Sequence, residues 1–222
     1  MRAGAYELLL TAAEKLRLRR APGFDTTRYW ENRYASGGSS GDGSYGQLAL
    51  FKAQVVNAFL RDHDVRSAIE FGCGDGHQLS LMSYSAYIGL DVSASAVSRC
   101  ISRFKDDLTK SFFVYNADAY SDALGVMRGD VALSLDVIYH IVSDATFERY
   151  MRHLCSAGSR FLIVYSTDFD ELETQHVRHR AFTRWMASRS PEFRLLKTVP
   201  NPHAGTGPQQ SNAGFFLFER TA

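Results

Sequence analysis

Glycines at positions 72, 74 and 76 follow directly on an apolar run, Ser67-Ala68-Ile69-Glu70-Phe71, and no other stretch restricts the fold as strongly. A buried run that ends in alternate glycines reads as a strand closing into a tight turn, where backbone approaches a ligand. The spacing is G-x-G-x-G, without the third glycine of the G-x-G-x-x-G dinucleotide fingerprint. Glu70 precedes the turn and Asp75 lies inside it. Two carboxylates repel a pyrophosphate, so the loop favours a cationic ligand without phosphate. About twenty residues on, Tyr87-Ile88-Gly89-Leu90-Asp91-Val92-Ser93 carries a second buried strand into Asp91, the distance at which a β-α-β unit places an acid for ribose hydroxyls.

The rest of the chain continues the alternation. Apolar runs predict strands at 111–115, 131–135, 161–166, 193–199 and 215–218. Helical spacing predicts helices over 45–61, 94–105, 144–155 and 173–188, with a short one at 77–83. The 45–61 helix carries Leu48, Phe51, Val55 and Phe59 on one face, and Ser44 with Gln47 reads as its capping box. Ahead of it, residues 5–20 read as an amphipathic helix with a Leu8, Leu9, Ala12, Leu16 stripe, broken at Pro22-Gly23. Tyr29, Trp30 and Tyr34 then cluster before a glycine- and serine-rich stretch, 37–44. Strands alternating with helices give a parallel sheet, and the last two strands, lacking a helix between them, put the last one antiparallel.

The pair Glu70-Phe71-Gly72-Cys73-Gly74-Asp75-Gly76 and Ile88-Gly89-Leu90-Asp91-Val92-Ser93 resembles the class I S-adenosylmethionine-dependent methyltransferases, over roughly residues 65–220. The resemblance implies an α/β Rossmann-like fold: a seven-stranded, mostly parallel sheet with an antiparallel last strand, helices on both faces and an N-terminal helical cap. It divides the chain into a cap and lid segment, 1–64, and a cofactor-binding domain, 65–222. It implies S-adenosylmethionine as cofactor, which carries an ammonium and a sulfonium and no phosphate. Glu70, Gly72, Cys73, Gly74, Asp91, Val92, Ser93, Asp118, Ala119 and Asp136 are the expected cofactor residues, with Tyr45 and Gln47 at the edge of a lid. Asp118 matches the acid that receives the adenine amino group, and Asp136 is expected near the methionine end. A Rossmann-like domain for another nucleotide is the competing reading of the glycine loop alone.

Composition narrows the partners. The 222 residues make one domain with a small appendage, and a net charge of +1 argues against a dedicated nucleic-acid binder. No N-P-P-Y segment follows the fourth strand, which speaks against methylation of adenine amino groups in nucleic acids. Cys73, Cys100 and Cys155 form no C-x-x-C pair and read as reduced thiols in the cytoplasm. No apolar stretch reaches the length of a membrane span, and Glu7, Glu14 and Lys15 interrupt anything resembling a signal peptide.

Methyl transfer to a hydroxyl needs alignment and a proton acceptor. His140, just past the fourth strand, is the first candidate base, with Tyr139 and Asp168 as the other candidate catalytic residues. Asp168, Asp170 and His176 form a candidate magnesium set, since that ion takes oxygen ligands. Tyr29, Trp30, Phe169, Gln209 and Asn212 suit stacking on a sugar ring and bonding its hydroxyls. Residues 30–49, WENRYASGGSSGDGSYGQLA, together with the glycine loop are similar to small bacterial methyltransferases of polysaccharide biosynthesis, sugar 1-O-methyltransferases of methylmannose polysaccharide synthesis among them. That similarity implies a sugar or oligosaccharide acceptor, such as a short mannoside. A second copy of the chain is a further candidate partner. A non-sugar metabolite as acceptor, or a cofactor-binding subunit without catalysis, stays open on the residues.

Overall fold

The structure, a computed structural model, describes residues 24–221. The expected helix over 5–20 lies outside the described residues. The strands are β1 (Ser67–Phe71), β2 (Ala86–Asp91), β3 (Lys110–Val114), β4 (Gly129–Leu135), β5 (Gly158–Ser166), β6 (Glu171–Leu172), β7 (Arg178–His179), β8 (Phe193–Val199) and β9 (Gly214–Arg220). The helices are α1 (Thr26–Ala35), α2 (Gly46–Asp62), α3 (Ala94–Arg103), α4 (Asp144–Ala157) and α5 (Phe182–Arg189). Seven strands form one sheet in the order β3-β2-β1-β4-β5-β9-β8. β1 to β5 run parallel, and β9 lies antiparallel between β5 and β8. β6 and β7 make a separate two-stranded ribbon.

Hydrophobic clusters cover both faces of the sheet, and the central strands are apolar on both sides for that reason. One cluster joins Ile69, Phe71 and Leu162 to Phe147, Met151 and Leu154 of α4 and to Phe182 and Met186 of α5. The other joins Ala68, Leu133 and Ile163 to Phe51, Val56, Phe59 and Leu60 of α2. Strand order reverses between β1 and β4, and an open α/β sheet has its ligand crevice at such a point, beyond the carboxyl ends of the strands.

Three local expectations are corrected. Helix 173–188 does not form as one piece: residues 171–179 make the β6–β7 ribbon, and α5 begins only at Phe182. Asp170 accepts from Ala181 N at 3.0 Å, and Asp168 accepts from Thr183 N at 3.0 Å and Thr183 Oγ1 at 2.6 Å. Acceptors at those amide groups fix the helix start there. Gln47 caps nothing: its Nε2 donates to Gln209 O at 2.8 Å, and α2 starts without a side-chain cap. The short helix at 77–83 shrinks to a 3-10 turn, Leu79–Leu81. Helix α1 has no counterpart among the expected elements; Asp25 caps it by accepting from Arg28 N at 2.9 Å.

Residues 24–45 lie over the carboxyl ends of the strands. Glu31 of α1 accepts from Ser93 Oγ at 2.7 Å and Ser95 Oγ at 2.6 Å, at the start of α3. Arg99 of α3 donates back to Gly38 O at 2.6 Å and to Tyr34 O. Thr26 Oγ1 donates to His140 O at 3.1 Å. No described helix is long and apolar enough to cross a membrane.

Candidate functional site

A cavity of about 250 Å³ opens at the switch point. Its wall draws on the glycine loop, the ends of β2, β3 and β4, and the covering segment.

The glycine loop is held by its own backbone. Gly72, Gly74 and Gly76 have φ of 91°, 60° and 75°, a region that glycine enters without penalty. Gly72 N and Cys73 N both donate to Leu90 O, at 2.6 and 3.0 Å, and lock the turn onto β2. Asp91 accepts from Gly74 N and Ser93 N, both at 2.9 Å, so one carboxylate bridges the first and second loops. Burial raises the Asp91 pKa to about 6. Glu70 accepts from Tyr87 Oη at 2.6 Å, and burial raises its pKa to about 7.

Asp75 anchors the cover. It accepts from Ser40 N at 3.0 Å, Tyr45 Oη at 2.8 Å and His77 N at 3.0 Å, while Asp75 N donates to Ser40 Oγ at 3.0 Å. Burial pushes the carboxyl upward, but these donors outweigh it and leave the pKa low. The Tyr45 ring stacks on His77 with centroids 4.1 Å apart. The glycine-serine stretch is therefore tied to the glycine loop in a closed arrangement, with Ser40 and Ser44 in the cavity wall.

Asp136 follows β4 in a left-handed conformation, φ 61°. One carboxylate oxygen faces Lys52 Nζ at 2.5 Å, and the other accepts from Tyr139 Oη at 2.7 Å. Lys52 is 1% exposed and, among the described residues, the only lysine or arginine on the wall. His140 closes a short 3-10 turn, Ile138–His140, with Trp30 edge-on at 5.2 Å. Its Nδ1 is 3.3 Å from His176 O. A carbonyl only accepts, so Nδ1 carries the proton and Nε2 keeps its lone pair. Burial lowers the His140 pKa to about 4, which keeps the ring neutral at physiological pH.

Of the residues singled out from sequence, Trp30, Glu70, Gly72, Cys73, Gly74, Asp91, Val92, Asp118, Asp136 and His140 line the cavity together. Asp118 is on the rim, paired with Arg149. Others stand back from it. Ser93 caps α3, and Ala119 N closes a turn on Asn116 O at 3.1 Å. Tyr139 supports Asp136, and Tyr29 stacks on His176 at 5.4 Å. Phe169 packs on His179 at 4.7 Å. Gln209 reaches Asp42 O at 3.3 Å, and Asn212 holds Gly205 N at 3.1 Å, both within loops. Asp168, Asp170 and His176 are not assembled as a metal set. The two acids serve α5 and His176 packs on Tyr29 and Phe24, and the described residues contain no group of three metal-ligating side chains.

Sequence reasoning missed Lys52, Gln78, Glu31 and Ser40. A signal for Lys52 was present: it falls on the apolar stripe of α2, one residue after Phe51 and four after Leu48, where a charge needs a buried partner. The wall carries five carboxylates, from Asp25, Glu70, Asp91, Asp118 and Asp136, against that single ammonium. Such a surface suits a cationic ligand without phosphate.

A family described as a methyltransferase domain matches residues 45–202. No curated protein matches the sequence. Among solved structures, the N-methyltransferase NodS from Bradyrhizobium japonicum WM9, in complex with S-adenosylhomocysteine, is 14% identical with a TM-score of 0.71, covering 90% of this chain and 100% of its own. Magnesium protoporphyrin IX methyltransferase from Synechocystis PCC 6803, with bound S-adenosylmethionine, is 16% identical with a TM-score of 0.64, covering 90% and 99%. The methyltransferase domain of bacterial CtHen1 is 20% identical with a TM-score of 0.60, covering 77% and 97%. At these identities the likeness shows a shared fold.

Proposed function

Because the chain belongs to the methyltransferase-domain family, we propose that it uses S-adenosylmethionine to methylate a hydroxyl of a sugar or short oligosaccharide. The observation that carries the cofactor is the convergence of the glycine loop, Glu70, Asp91 and Asp136 on one acid-rich cavity at the switch point. Two of the structural neighbours hold S-adenosylhomocysteine or S-adenosylmethionine. The residues fit such a group: Asp91 is fixed by two amides and keeps lone pairs for ribose hydroxyls, and Asp118 on the rim would receive the adenine amino group, as the resemblance implies. The bound cofactor supplies a sulfonium methyl that an acceptor oxygen takes, the C–S pair staying on sulfur as a neutral thioether.

The chain's own residues do the remainder. Asp91 keeps a negative charge on the wall at physiological pH, while Glu70, raised to about 7, and Asp136, paired with Lys52, add acceptor oxygens. Tyr34, Ser40 and Ser44 screen the cavity from water. His140, neutral and with Nε2 unprotonated, takes the hydroxyl proton, while the His176 carbonyl holds its tautomer. Asp168, Asp170 and His176 hold no ion in this reading, and the proton passes to the ring instead of a metal-bound base.

A neutral polyol as acceptor is supported by the wall next to His140. It carries Phe24 and Trp30 with the hydroxyls of Thr26, Thr27, Ser143 and Thr146, and no cation among the described residues. Residues 30–49, whose sequence resembles the sugar 1-O-methyltransferases of methylmannose polysaccharide synthesis, supply Trp30 and the cover itself, which favours a short mannoside. The three unpaired, buried cysteines agree with a cytoplasmic reaction. Mass spectrometry of a mannoside panel incubated with the protein and labelled S-adenosylmethionine tests this. A gain of one labelled methyl is expected; labelling only of amines or aromatic metabolites would replace the sugar reading.

A further inference from the structure

Beginning at His140, three backbone carbonyls in a row are held by side chains from distant parts of the chain. Thr26 Oγ1 donates to His140 O at 3.1 Å. Arg180 Nη1 donates to Ile141 O at 2.6 Å, and its Nη2 to Val142 O at 3.0 Å. Arg178 Nη1 donates to the same Val142 O at 3.1 Å. Residues 141–143 link the 3-10 turn to α4 and belong to no helix or strand. Carbonyls in such a link lack a ladder partner, so the side chains that reach them decide where they point.

Arg180 is built for that task. A guanidinium offers five donors in a rigid planar fork, and bonds from a charged donor are the strong ones. Its Nε and Nη2 also reach Asp144 Oδ1, at 3.3 and 3.1 Å, and the group lies 4.5 Å from the Phe147 ring centroid. Its side chain is 11% exposed. Arg178 Nη2 meets the same Asp144 Oδ1 at 2.9 Å. The imidazole is held from the same direction, since His140 Nδ1 is 3.3 Å from His176 O. Segment 176–180 thus grips the ring of His140 and the two carbonyls that follow it. Ile141, Ser143 and Thr146, in and just after the gripped link, line the cavity, whereas Arg180 stands outside its wall. We propose that Arg180, steadied by Arg178 and Asp144, is a positioning residue for His140. It ties the link after His140 to the ribbon and so keeps the ring against the His176 carbonyl, with Nε2 free to take a proton. The inference rests on the reading of His140 as the base and adds to it how the chain holds that base in register.

Two measurements that need no acceptor test it: long-range proton–nitrogen NMR of isotope-labelled histidine near neutral pH, and calorimetric titration with S-adenosylhomocysteine. His140→Ala identifies the His140 signals. Wild type should show one tautomer, with the proton on Nδ1. Arg180→Gln should keep S-adenosylhomocysteine affinity within about 3-fold, because other residues hold that end of the cavity. In the same variant a large share of His140 should carry its proton on Nε2 instead. Arg178→Gln leaves Val142 O its Arg180 donor and should shift the ring less. Arg180→Lys keeps the charge without the fork and should recover part of the order, and millimolar guanidinium ion added to Arg180→Ala should recover more. On a mannoside that the panel shows to be methylated, Arg180→Gln should lower kcat by about 10- to 100-fold with KM for S-adenosylmethionine nearly unchanged. A single Nδ1-protonated tautomer in Arg180→Gln with binding intact overturns the proposal, as does a mixture in wild type. If Arg180→Gln loses S-adenosylhomocysteine binding, Arg178→Gln combined with Asp144→Asn slackens the clamp more gently, and an unmoved tautomer there overturns the proposal equally. Full turnover in His140→Ala, with the ring still freed by Arg180→Gln, would support the clamp and remove the base reading, so the two failures are told apart.

Discussion

The two ends of the cavity are built differently. At the glycine-loop end, the loop itself is held by backbone close by in sequence: Asp91 takes the amides of Ser93 and Gly74, and Asp75 that of His77, and only its cover, joined through Ser40 and Tyr45 to Asp75, comes from 30 to 35 positions away. At the His140 end, contacts join distant segments. Thr26 reaches His140 across 114 positions, and His140 meets the His176 carbonyl across 36. A site made of local turns is rigid as soon as the turns form. A site made of distant segments exists only after the chain has folded, and it can be reshaped through the β6–β7 ribbon without disturbing the first. On the function proposed here, the difference predicts that binding of the cofactor and handling of the acceptor are separable by mutation.

The largest separation is expected from His140→Ala. Turnover should fall roughly 10²- to 10⁴-fold, with S-adenosylhomocysteine affinity nearly unchanged in the same titration. Burial places the His140 pKa at about 4, below its unfolded value of about 6.5. The wild-type rate should therefore stay level from neutral pH down and decline only toward pH 4. The stability carried by the buried neutral ring is likewise lost as pH falls through that window. A variant retaining more than about a tenth of wild-type turnover would take the base role from His140.

Asp91→Ala should do the reverse. Losing charge-assisted bonds to two hydroxyls weakens S-adenosylhomocysteine by roughly 30- to 1,000-fold, while turnover at saturating cofactor holds. Equal damage to affinity and saturated turnover would show that the two ends are coupled. A smaller effect belongs to the cover, which spans both ends. Ser40→Ala removes the partner of Asp75 N and Tyr34 Oη, and stopped-flow release of S-adenosylhomocysteine should quicken by about 3- to 10-fold. The smallest effect is expected for metal removal. Excess EDTA should leave turnover unchanged, and Asp168→Ala should lower Tm by roughly 2–4 °C through the lost bonds at the start of α5. Abolished turnover in EDTA would restore a metal to the mechanism.

The contrast between the two ends also explains what could be read in advance. Glu70, Gly72, Gly74 and Asp91 were readable because turn chemistry and strand spacing are properties of adjacent residues. The seven strands were readable from apolar runs, with β8 matched at both ends. The 171–189 region was misjudged because His176, His179 and Trp185 fall at spacings that suit a helix, whereas the acceptor atoms of Asp168 and Asp170 decide where the helix begins. Tyr29, Trp30 and Tyr34 were visible as a cluster, yet their placement against His140 and His176 depends on a helix capped by Asp25 and on a ribbon nearly 150 positions away. Gln47 paired with Gln209, 162 positions distant, for the same reason.

Asp75 carries a consequence for timing. Ser40 and Tyr45 both rest on its Oδ2, so this edge of the cover lifts only when those two latches are undone together. If spent cofactor leaves past that edge, it departs at the pace of the latch. The first methyl transfer after mixing should outrun every later one, giving a burst of product followed by a slower steady climb. The height of that burst would count the working sites, and its slope afterwards would time the latch.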